Sequence, residues 1–336
     1  MDGPMEAGAG ELALATQGLR KHYGRRIALD GLDLRVPAGV VYGFLGPNGA
    51  GKTTTMRILT GLVRPDAGSV ELLGRPFGRG QRRRLFEVGS LIESPSFYPY
   101  LSGRDNLKVL AATGATTPPT RIDELLALVN LRERAGDRVS GYSLGMKQRL
   151  GIASALLSDP RLLLLDEPAN GLDPAGIAGM RDTLRALAAT GKTVLVSSHL
   201  LSEVQQLADV VGIIARGRLV REGRIGELLR EAGSIRVRVR PDELAIAGRV
   251  LETAAGGGSV RAAAGPEAGW LDVRIDPNRA SELNHALAGA GVYASRLEVG
   301  TTLEALFLEL TGSTPDVGSA GGPPPPAPGA VPGWPS

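Results

Sequence analysis

Short apolar runs alternate with amphipathic, helix-like stretches along most of this 336-residue chain. Four of the runs are rich in Val, Ile and Leu and are bounded by polar or turn residues, which is typical of strands buried inside a parallel sheet. They occupy residues 40–45, 162–165, 193–197 and 210–215. Because helical patterns separate them, residues 11–226 are predicted to form one α/β domain with a mainly parallel sheet.

Three further regions depart from that alternation. Between about residues 95 and 160 helical periodicity dominates, which predicts a helical insert in the domain. Beyond it, strand, helix, strand, strand, helix, strand and helix patterns follow at 235–240, 243–253, near 260, 270–275, 279–287, 292–299 and 303–310. That order predicts a small ferredoxin-like α+β domain over residues 234–312. Residues 313–336 are rich in Pro and Gly and are predicted to be a disordered tail.

The composition of the chain excludes several kinds of site and partner but does not by itself assign a function. The absence of cysteine excludes disulfides and cysteine-based metal sites, and it is compatible with a reducing cytoplasm. The formal net charge is only +3, and the arginines at positions 82–84 have no interleaved aromatic residues, so no nucleic-acid partner is expected. No stretch approaches the roughly 18 apolar residues of a membrane-spanning helix, and residues 1–10 do not resemble a signal peptide. Any role at a membrane is therefore expected to depend on a partner.

A glycine-rich loop follows the first core strand. Residues 46–53, GPNGAGKT, match the phosphate-loop pattern G-x-x-x-x-G-K-[ST] in full. Its small residues let backbone N–H groups and a helix N-terminus converge on phosphate oxygens. Lys52 is predicted to neutralise the β- and γ-phosphates and to take part in catalysis, and the Thr53 hydroxyl is predicted to bind Mg²⁺. The predicted nucleotide-binding residues of this segment are Gly46, Asn48, Gly49, Gly51, Lys52, Thr53 and Thr54.

A pair of carboxylates follows the second core strand. Asp166 and Glu167 come directly after the apolar residues 162–165. The carboxyl edge of such a sheet is where α/β proteins bind their ligands. Asp166 is predicted to hold Mg²⁺ through water. Glu167 is predicted to orient the attacking water and to accept its proton as general base.

A third motif narrows the class of protein. The stretch YSLGMKQR at residues 142–149 lies a little over twenty residues before Asp166 and by itself predicts an ordinary helix capped by Ser143. It resembles the signature motif of ABC ATPases, whose usual form is LSGGQ. The motifs NGLD at 170–173 and SSH at 197–199 complete that family's series in order. The resemblance covers about residues 12–223 and is highly specific as a set.

The resemblance implies more than the residues do alone. It implies a P-loop NTPase fold of the ABC type, in which an N-terminal antiparallel β subdomain accompanies the parallel sheet and the helical insert. It also implies that Tyr23 stacks on adenine and that His199 reaches the γ-phosphate and stabilises transition-state charge. In the family, the signature of one subunit closes over ATP held by another. Ser143 and Gly145 would therefore contact the nucleotide of a second copy in a head-to-tail dimer, and Asp173 would bridge to the opposing phosphate loop.

Some positions depart from the family pattern. Glu93 stands where a glutamine usually links the core to the helical insert, and its carboxylate is expected to bind nucleotide and Mg²⁺ without the amide's donor. Leu144 replaces the first signature glycine, and Met146 replaces the signature glutamine. Hydrolysis is still expected, because the residues that carry it are retained, namely Lys52, Asp166, Glu167 and His199.

The leading hypothesis is the ATP-hydrolysing subunit of an ABC transporter, cytoplasmic and bound to the inner face of the cell membrane through an integral-membrane permease. The departures resemble antibiotic- and drug-resistance exporters, so export of a drug, antibiotic or lipid-like compound is expected, with an importer ATPase as the alternative. A soluble ABC ATPase acting on nucleic acid or ribosomes would carry a long coiled coil, a second cassette or zinc-binding cysteines. A small GTPase would need an Asn-Lys-x-Asp motif, which the chain lacks, and Glu167 disfavours a non-enzymatic binding module.

Overall fold

The computed structural model describes residues 11–93, 96–114, 117–231, 233–256, 260–262 and 269–299, together with the single positions 303, 306, 307 and 310. The predicted tail at 313–336 and the first ten residues lie outside the described residues. No helix within the described ranges is long and apolar enough to cross a bilayer.

A six-stranded sheet forms the centre of the larger domain, in the order β10-β9-β3-β8-β7-β6. All neighbours are parallel except β10, which pairs antiparallel with β9. The four core strands predicted from the sequence are all present in it. The strands are β3 (Val41–Leu45), β6 (Val88–Leu91), β7 (Leu162–Asp166), β8 (Thr193–Ser198), β9 (Val210–Ala215) and β10 (Arg218–Arg224). The predicted α/β fold with a mainly parallel sheet is confirmed.

Both faces of this sheet are buried, which explains the continuous apolar runs. In β7, Leu163 and Leu165 contribute to one hydrophobic cluster, whereas Leu162 and Leu164 contribute to a second cluster on the opposite face. All four leucines have no exposed surface. This burial fixes the position of the carboxyl end of β7, where Asp166 and Glu167 lie.

An antiparallel sheet lies at the N-terminal side of the domain, in the order β2-β1-β4-β5. Its strands are β1 (Leu12–Tyr23), β2 (Arg26–Pro37), β4 (Ala67–Leu72) and β5 (Arg75–Phe77). A tight turn at Gly24 and Arg25 joins β1 to β2, and Gly24 adopts a φ of 58°, which favours glycine. The N-terminal antiparallel β subdomain implied by the family resemblance is confirmed, and it carries Tyr23 at its edge.

The helices cover the sheet and form the predicted insert. Within residues 95–160 the described regular elements are helical, and their buried side chains join the cluster on one face of the central sheet. The insert contains α2 (Gly103–Thr113), α3 (Pro119–Leu128) and α4 (Leu144–Ala155). The other helices of the larger domain are α1 (Lys52–Leu59), α5 (Pro174–Ala189), α6 (Leu201–Leu207) and α7 (Ile225–Glu231).

The second unit has the predicted order of elements. They are β11 (Ser234–Arg238), α8 (Leu244–Ala255), β12 (Val260–Ala262), β13 (Trp270–Arg274), α9 (Ala280–Gly289) and β14 (Arg296–Val299). The antiparallel sheet order β12-β13-β11-β14 is that of a ferredoxin-like unit. Three strands are shorter than predicted: β11 ends at Arg238, β13 ends at Arg274, and β14 begins only at Arg296.

The closing helix predicted at residues 303–310 packs differently from the rest of the second unit. Its four described positions are helical. Leu303 and Phe307 are buried in a cluster with residues of the larger domain, and Leu306 and Leu310 pack against the same cluster. The sequence predicted this segment as part of the small domain, but its described side chains pack on the large one.

Candidate nucleotide-binding and hydrolysis site

The loop between β3 and α1 needs glycine at particular positions. Gly49 and Gly51 adopt φ values of 79° and 116°, in the left-handed region. A Cβ atom at Gly46 would lie 2.5 Å from the carbonyl oxygen of Ile214, and one at Gly51 would lie 2.7 Å from that of Ala28. At these two positions only glycine lets the backbone of the loop approach its neighbours so closely.

Lys52 begins α1 and is almost fully buried, with 5% of its surface exposed. Its Nζ donates a hydrogen bond to the Gly46 carbonyl at 2.7 Å and lies 3.3 Å from Oε1 of Glu167. The N-cap, Gly51, supplies no side chain to the first N–H groups of the helix. Buried positive charge and open helix N–H groups are the features that bind phosphate.

A cavity that opens to solvent surrounds this loop. Of the predicted nucleotide-binding and catalytic residues, eight line it: Tyr23, Asn48, Gly49, Gly51, Lys52, Thr53, Thr54 and Glu167. Tyr23 is 45% exposed, with Lys21 Nζ 5.5 Å from its ring centroid. Arg26 and Arg57 also line the cavity and were missed by the sequence reading, because no motif contains them. The lining thus combines an exposed aromatic ring with three cationic side chains.

Asp166 and Glu167 are tied to the neighbouring strand by one hydroxyl group. Ser197, at the end of β8, donates a hydrogen bond to Oδ1 of Asp166. The same hydroxyl accepts a hydrogen bond from the backbone N–H of Glu167 at 3.0 Å. Glu167 adopts a left-handed φ of 49°, which turns the chain out of the strand. Sequence reasoning noted Ser197 only as part of a motif, and it missed this link.

The three predicted catalytic residues come together. The Nδ1 atom of His199 contacts Oε2 of Glu167, whose other oxygen faces Lys52. The side chains of Glu167 and His199 are 22% and 23% exposed. A carboxylate thus bridges a buried cation on the phosphate loop and an imidazole at the end of the adjacent strand. This arrangement can accept a proton at the rim of a phosphate-binding cavity.

Glu203 is a further acidic residue near this group. Burial raises the pKa of its carboxyl above the ordinary value; the His199 imidazole partly offsets this, and the Glu167 carboxylate adds to it. Glu203 lies on α6, four residues after His199. In the sequence, only its position four residues after His199 in a helical pattern could have indicated that Glu203 lies near the site.

Glu93 has an unexpected partner. Its backbone has a φ of 65°, and its carboxylate pairs with the guanidinium of Arg57 on α1. Arg57 lines the phosphate cavity, whereas Glu93 is not among the residues that line it. The negative charge that replaces the usual glutamine is therefore paired with a cation of this chain.

The remaining predicted residues form a second group, outside the lining of that cavity. Ser143 is exposed and caps α4, accepting a hydrogen bond from Met146 N at 3.2 Å. Asp173 is exposed and caps α5, accepting one from Gly176 N at 2.9 Å. Leu144 lies over Gly171, where a Cβ atom would be 2.7 Å from Leu144 Cδ2, and Gly145 lies close to Leu172. One chain therefore links Lys52 of the phosphate loop to Glu167 and His199, and Asp166 to Glu167 through Ser197. The contacts of Ser143, Gly145 and Asp173 described here are instead with α4, α5 and the segment before α5.

Comparisons with known proteins agree with this geometry. The family described as "ABC transporter" matches residues 29–170. The bacitracin transport ATP-binding protein BcrA of Bacillus licheniformis is 47% identical over 210 residues, which are 62% of this chain and 69% of that protein. The daunorubicin resistance ATP-binding protein DrrA3 of Streptomyces coeruleorubidus is 42% identical over 232 residues, 68% of this chain and 73% of that protein.

A solved structure of the ATP-binding subunit of an ABC transporter superposes with a TM-score of 0.58 at 28% identity. The match covers 65% of this chain and 92% of that one. It therefore accounts for a portion of this chain about as long as the larger domain.

Proposed function

This chain belongs to the family of ABC transporter ATP-binding proteins, which makes it an ATP-binding and ATP-hydrolysing subunit, and we propose that it powers export of an antibiotic or drug-like compound. The observation that carries the proposal is the contact of Glu167 with both Lys52 and His199 at the rim of the phosphate cavity. That constellation supports hydrolysis and not binding alone.

In the proposed reaction each side chain has a separate task. Lys52 and the N–H groups of the phosphate loop hold the β- and γ-phosphates, and Tyr23 holds the base. Glu167 orients a water molecule and accepts its proton as the water attacks the γ-phosphorus. The bond between the γ-phosphorus and the β–γ bridging oxygen breaks, and ADP leaves with that oxygen. His199 donates a hydrogen bond to the γ-phosphate oxygens, where negative charge is redistributed in the transition state.

Mg²⁺ is the expected partner of the triphosphate, and the side chains at hand suit it. Thr53 lines the cavity and Asp166 is the last residue of β7, so that a hydroxyl and a carboxylate oxygen are available. Mg²⁺ prefers oxygen ligands and usually takes only one or two from the protein. Thr53 and Asp166 would hold the ion, and Glu93, whose Oε1 pairs with Arg57, is the further predicted ligand. The ion would neutralise part of the phosphate charge.

We infer that the working unit is a head-to-tail dimer. The position of Ser143 and Gly145 at the N-terminus of α4, outside the lining of the phosphate cavity, supports this. The second copy would bring its own α4 to the γ-phosphate, with Asp173 next to the opposing phosphate loop.

The partner in the membrane is proposed to be a separate permease, which places this chain at the inner face of the cell membrane. The family supports a permease, and the names of BcrA and DrrA3 support a bacitracin-like or daunorubicin-like cargo. Cells that carry this chain with its permease should resist the exported compound. Glu167→Gln should abolish that resistance, and unchanged resistance would argue against a transport motor.

The ATP-dependent dimer is tested with the same variant in solution. Glu167→Gln should bind ATP, stop turnover and convert from monomer to dimer, as measured by analytical ultracentrifugation with ATP and Mg²⁺. A monomeric variant that hydrolyses ATP at the normal rate would refute both the role of Glu167 and the dimer.

A further inference from the structure

The end of the second unit fills part of the core of the first. Leu303 is fully buried and Phe307 is 3% exposed. Both lie in one hydrophobic cluster with Leu201 and Val204, two of the three apolar residues of α6. The backbone N–H of Leu303 also donates a hydrogen bond to Oε1 of Gln205, on the same helix, at 3.1 Å. Leu303 and Phe307, about one hundred positions further along the chain, therefore pack against one side of α6.

α6 is a short helix whose position depends on its neighbours. It has seven residues, and its N-cap, Leu200, provides no side-chain hydrogen bond. A helix of this length is not stable without tertiary packing. On its other side, Arg181 and Arg185 of α5 donate hydrogen bonds to Gln206. The helix is thus held between α5 and the C-terminal residues.

The catalytic imidazole is directly connected to this helix. His199 precedes the first residue of α6 by two positions. The cluster that contains Leu303 and Phe307 also includes Leu45, the residue before Gly46 of the phosphate loop. A displacement of α6 would move His199 relative to Glu167, whereas β3 is held by its two parallel neighbours.

We propose that Leu303 and Phe307 are positioning residues for hydrolysis, which act through α6 to hold His199 against Glu167. The inference rests on the proposed role of His199. The small domain is then connected to the catalytic site by a packed contact, in addition to the covalent link after α7. A loosened contact leaves ATP binding intact, because the side chains that line the phosphate cavity are not part of α6.

The test uses the full chain with Phe307→Ala and Phe307→Leu. We expect Phe307→Ala to lower kcat about tenfold, because small displacements of a catalytic group reduce rates strongly. KM for ATP and the Kd of a non-hydrolysable ATP analogue should stay within about twofold. Hydrogen exchange of the amides at 201–207 should become at least about tenfold faster. Phe307→Leu should restore most of both properties.

Two controls separate positioning from general destabilisation. Leu283→Ala cuts a fully buried side chain in the core of the small domain, away from α6, and should leave kcat within about twofold of the unmodified chain. Gln205→Ala removes only the hydrogen bond to Leu303 and should lower kcat about threefold. If Phe307→Ala does not fold, the comparison of Gln205→Ala with Leu283→Ala decides the question.

A double-mutant cycle with His199→Ala gives the decisive result. If Phe307 acts through His199, Phe307→Ala should lower kcat by less than about twofold once the imidazole is absent. An equal loss with and without His199, or unchanged exchange of α6, would overturn the inference. Failure of the proposed function is distinguishable, because His199→Ala alone would then hydrolyse ATP at the normal rate.

Discussion

The two halves of the candidate site are built in opposite ways. On the phosphate-loop side, Lys52 is nearly buried and is paired with Glu167, which also contacts His199. On the signature side, Ser143 and Asp173 are exposed, and their side-chain oxygens cap helices of their own chain. The first half makes its contacts within one chain, whereas the second half is proposed to bind a nucleotide held by a second chain.

The two halves also differ in whether their charged side chains need a partner within the chain. A buried ion is costly unless it is paired, and Lys52 has both a carbonyl and a carboxylate within reach. The exposed residues of the signature half need no such partner. Changes to the first half should therefore affect ATP binding and folding strongly. Changes to the second half should mainly affect what a second chain supplies and should lower the stability of the single chain only slightly.

The largest expected effect is that of Lys52→Ala. The change removes the cation from the phosphate cavity and leaves the Glu167 carboxylate without it, so the affinity for ATP should fall at least about 100-fold, a loss of about 2.7 kcal/mol. Isothermal titration with ATP and Mg²⁺ measures the loss. Lys108→Ala, on the exposed face of α2, is the matched control and should bind ATP normally.

The next effect separates the two halves. Gly145→Asp places a carboxylate where a γ-phosphate is expected to bind, so hydrolysis should fall at least about tenfold through repulsion. The fold should survive, because a Cβ atom there meets its nearest neighbour, Leu172 Cδ2, at 3.4 Å. ATP binding by the single chain should be unchanged. Gly136→Asp, at a glycine with open space around it, is the control; a Gly145→Asp chain with normal turnover would contradict the split site.

A smaller effect is expected at the link between the strands. Ser197→Ala removes the hydroxyl that joins Asp166 to Glu167 N. The buried Asp166 carboxylate loses this donor, whereas the Glu167 N–H keeps its hydrogen bond to the Ser197 carbonyl oxygen at 3.2 Å. The free energy of unfolding should fall by about 1–3 kcal/mol. Urea unfolding measures it, with Ser202→Ala on the exposed side of α6 as control. Equal stability of the two variants would show that Ser197 does not organise the site.

The smallest effect is expected at Asp173. Asp173→Ala removes an exposed N-cap and should lower the free energy of unfolding by about 1 kcal/mol, whereas Asp173→Asn should retain most of it. Thermal unfolding of the monomer compares the two. A loss as large as that of Ser197→Ala would mean that the signature half is as tightly integrated as the phosphate-loop half.

Much of the central sheet and of the phosphate loop could be predicted from the sequence, because both depend on residues that are neighbours in the chain. Local signals are continuous in the chain: the apolar run at 162–165 is buried on both faces, and the phosphate loop is fixed by its own glycines. Long-range contacts leave no such signal. Ser197 reaches Asp166 across 31 positions, and Arg57 reaches Glu93 across 36. The packing of Phe307 against α6 was missed for the same reason.

The most direct test of the central claim combines two inactive halves in a hydrolysis-deficient background. One chain carries Glu167→Gln with Lys52→Ala, and the other carries Glu167→Gln with Gly145→Asp. Neither should dimerise alone with ATP and Mg²⁺. Their mixture should form heterodimers that retain one ATP per pair, because one intact phosphate loop then meets one intact signature. A mixture that stays monomeric, or a Gly145→Asp chain that dimerises alone, would contradict the account.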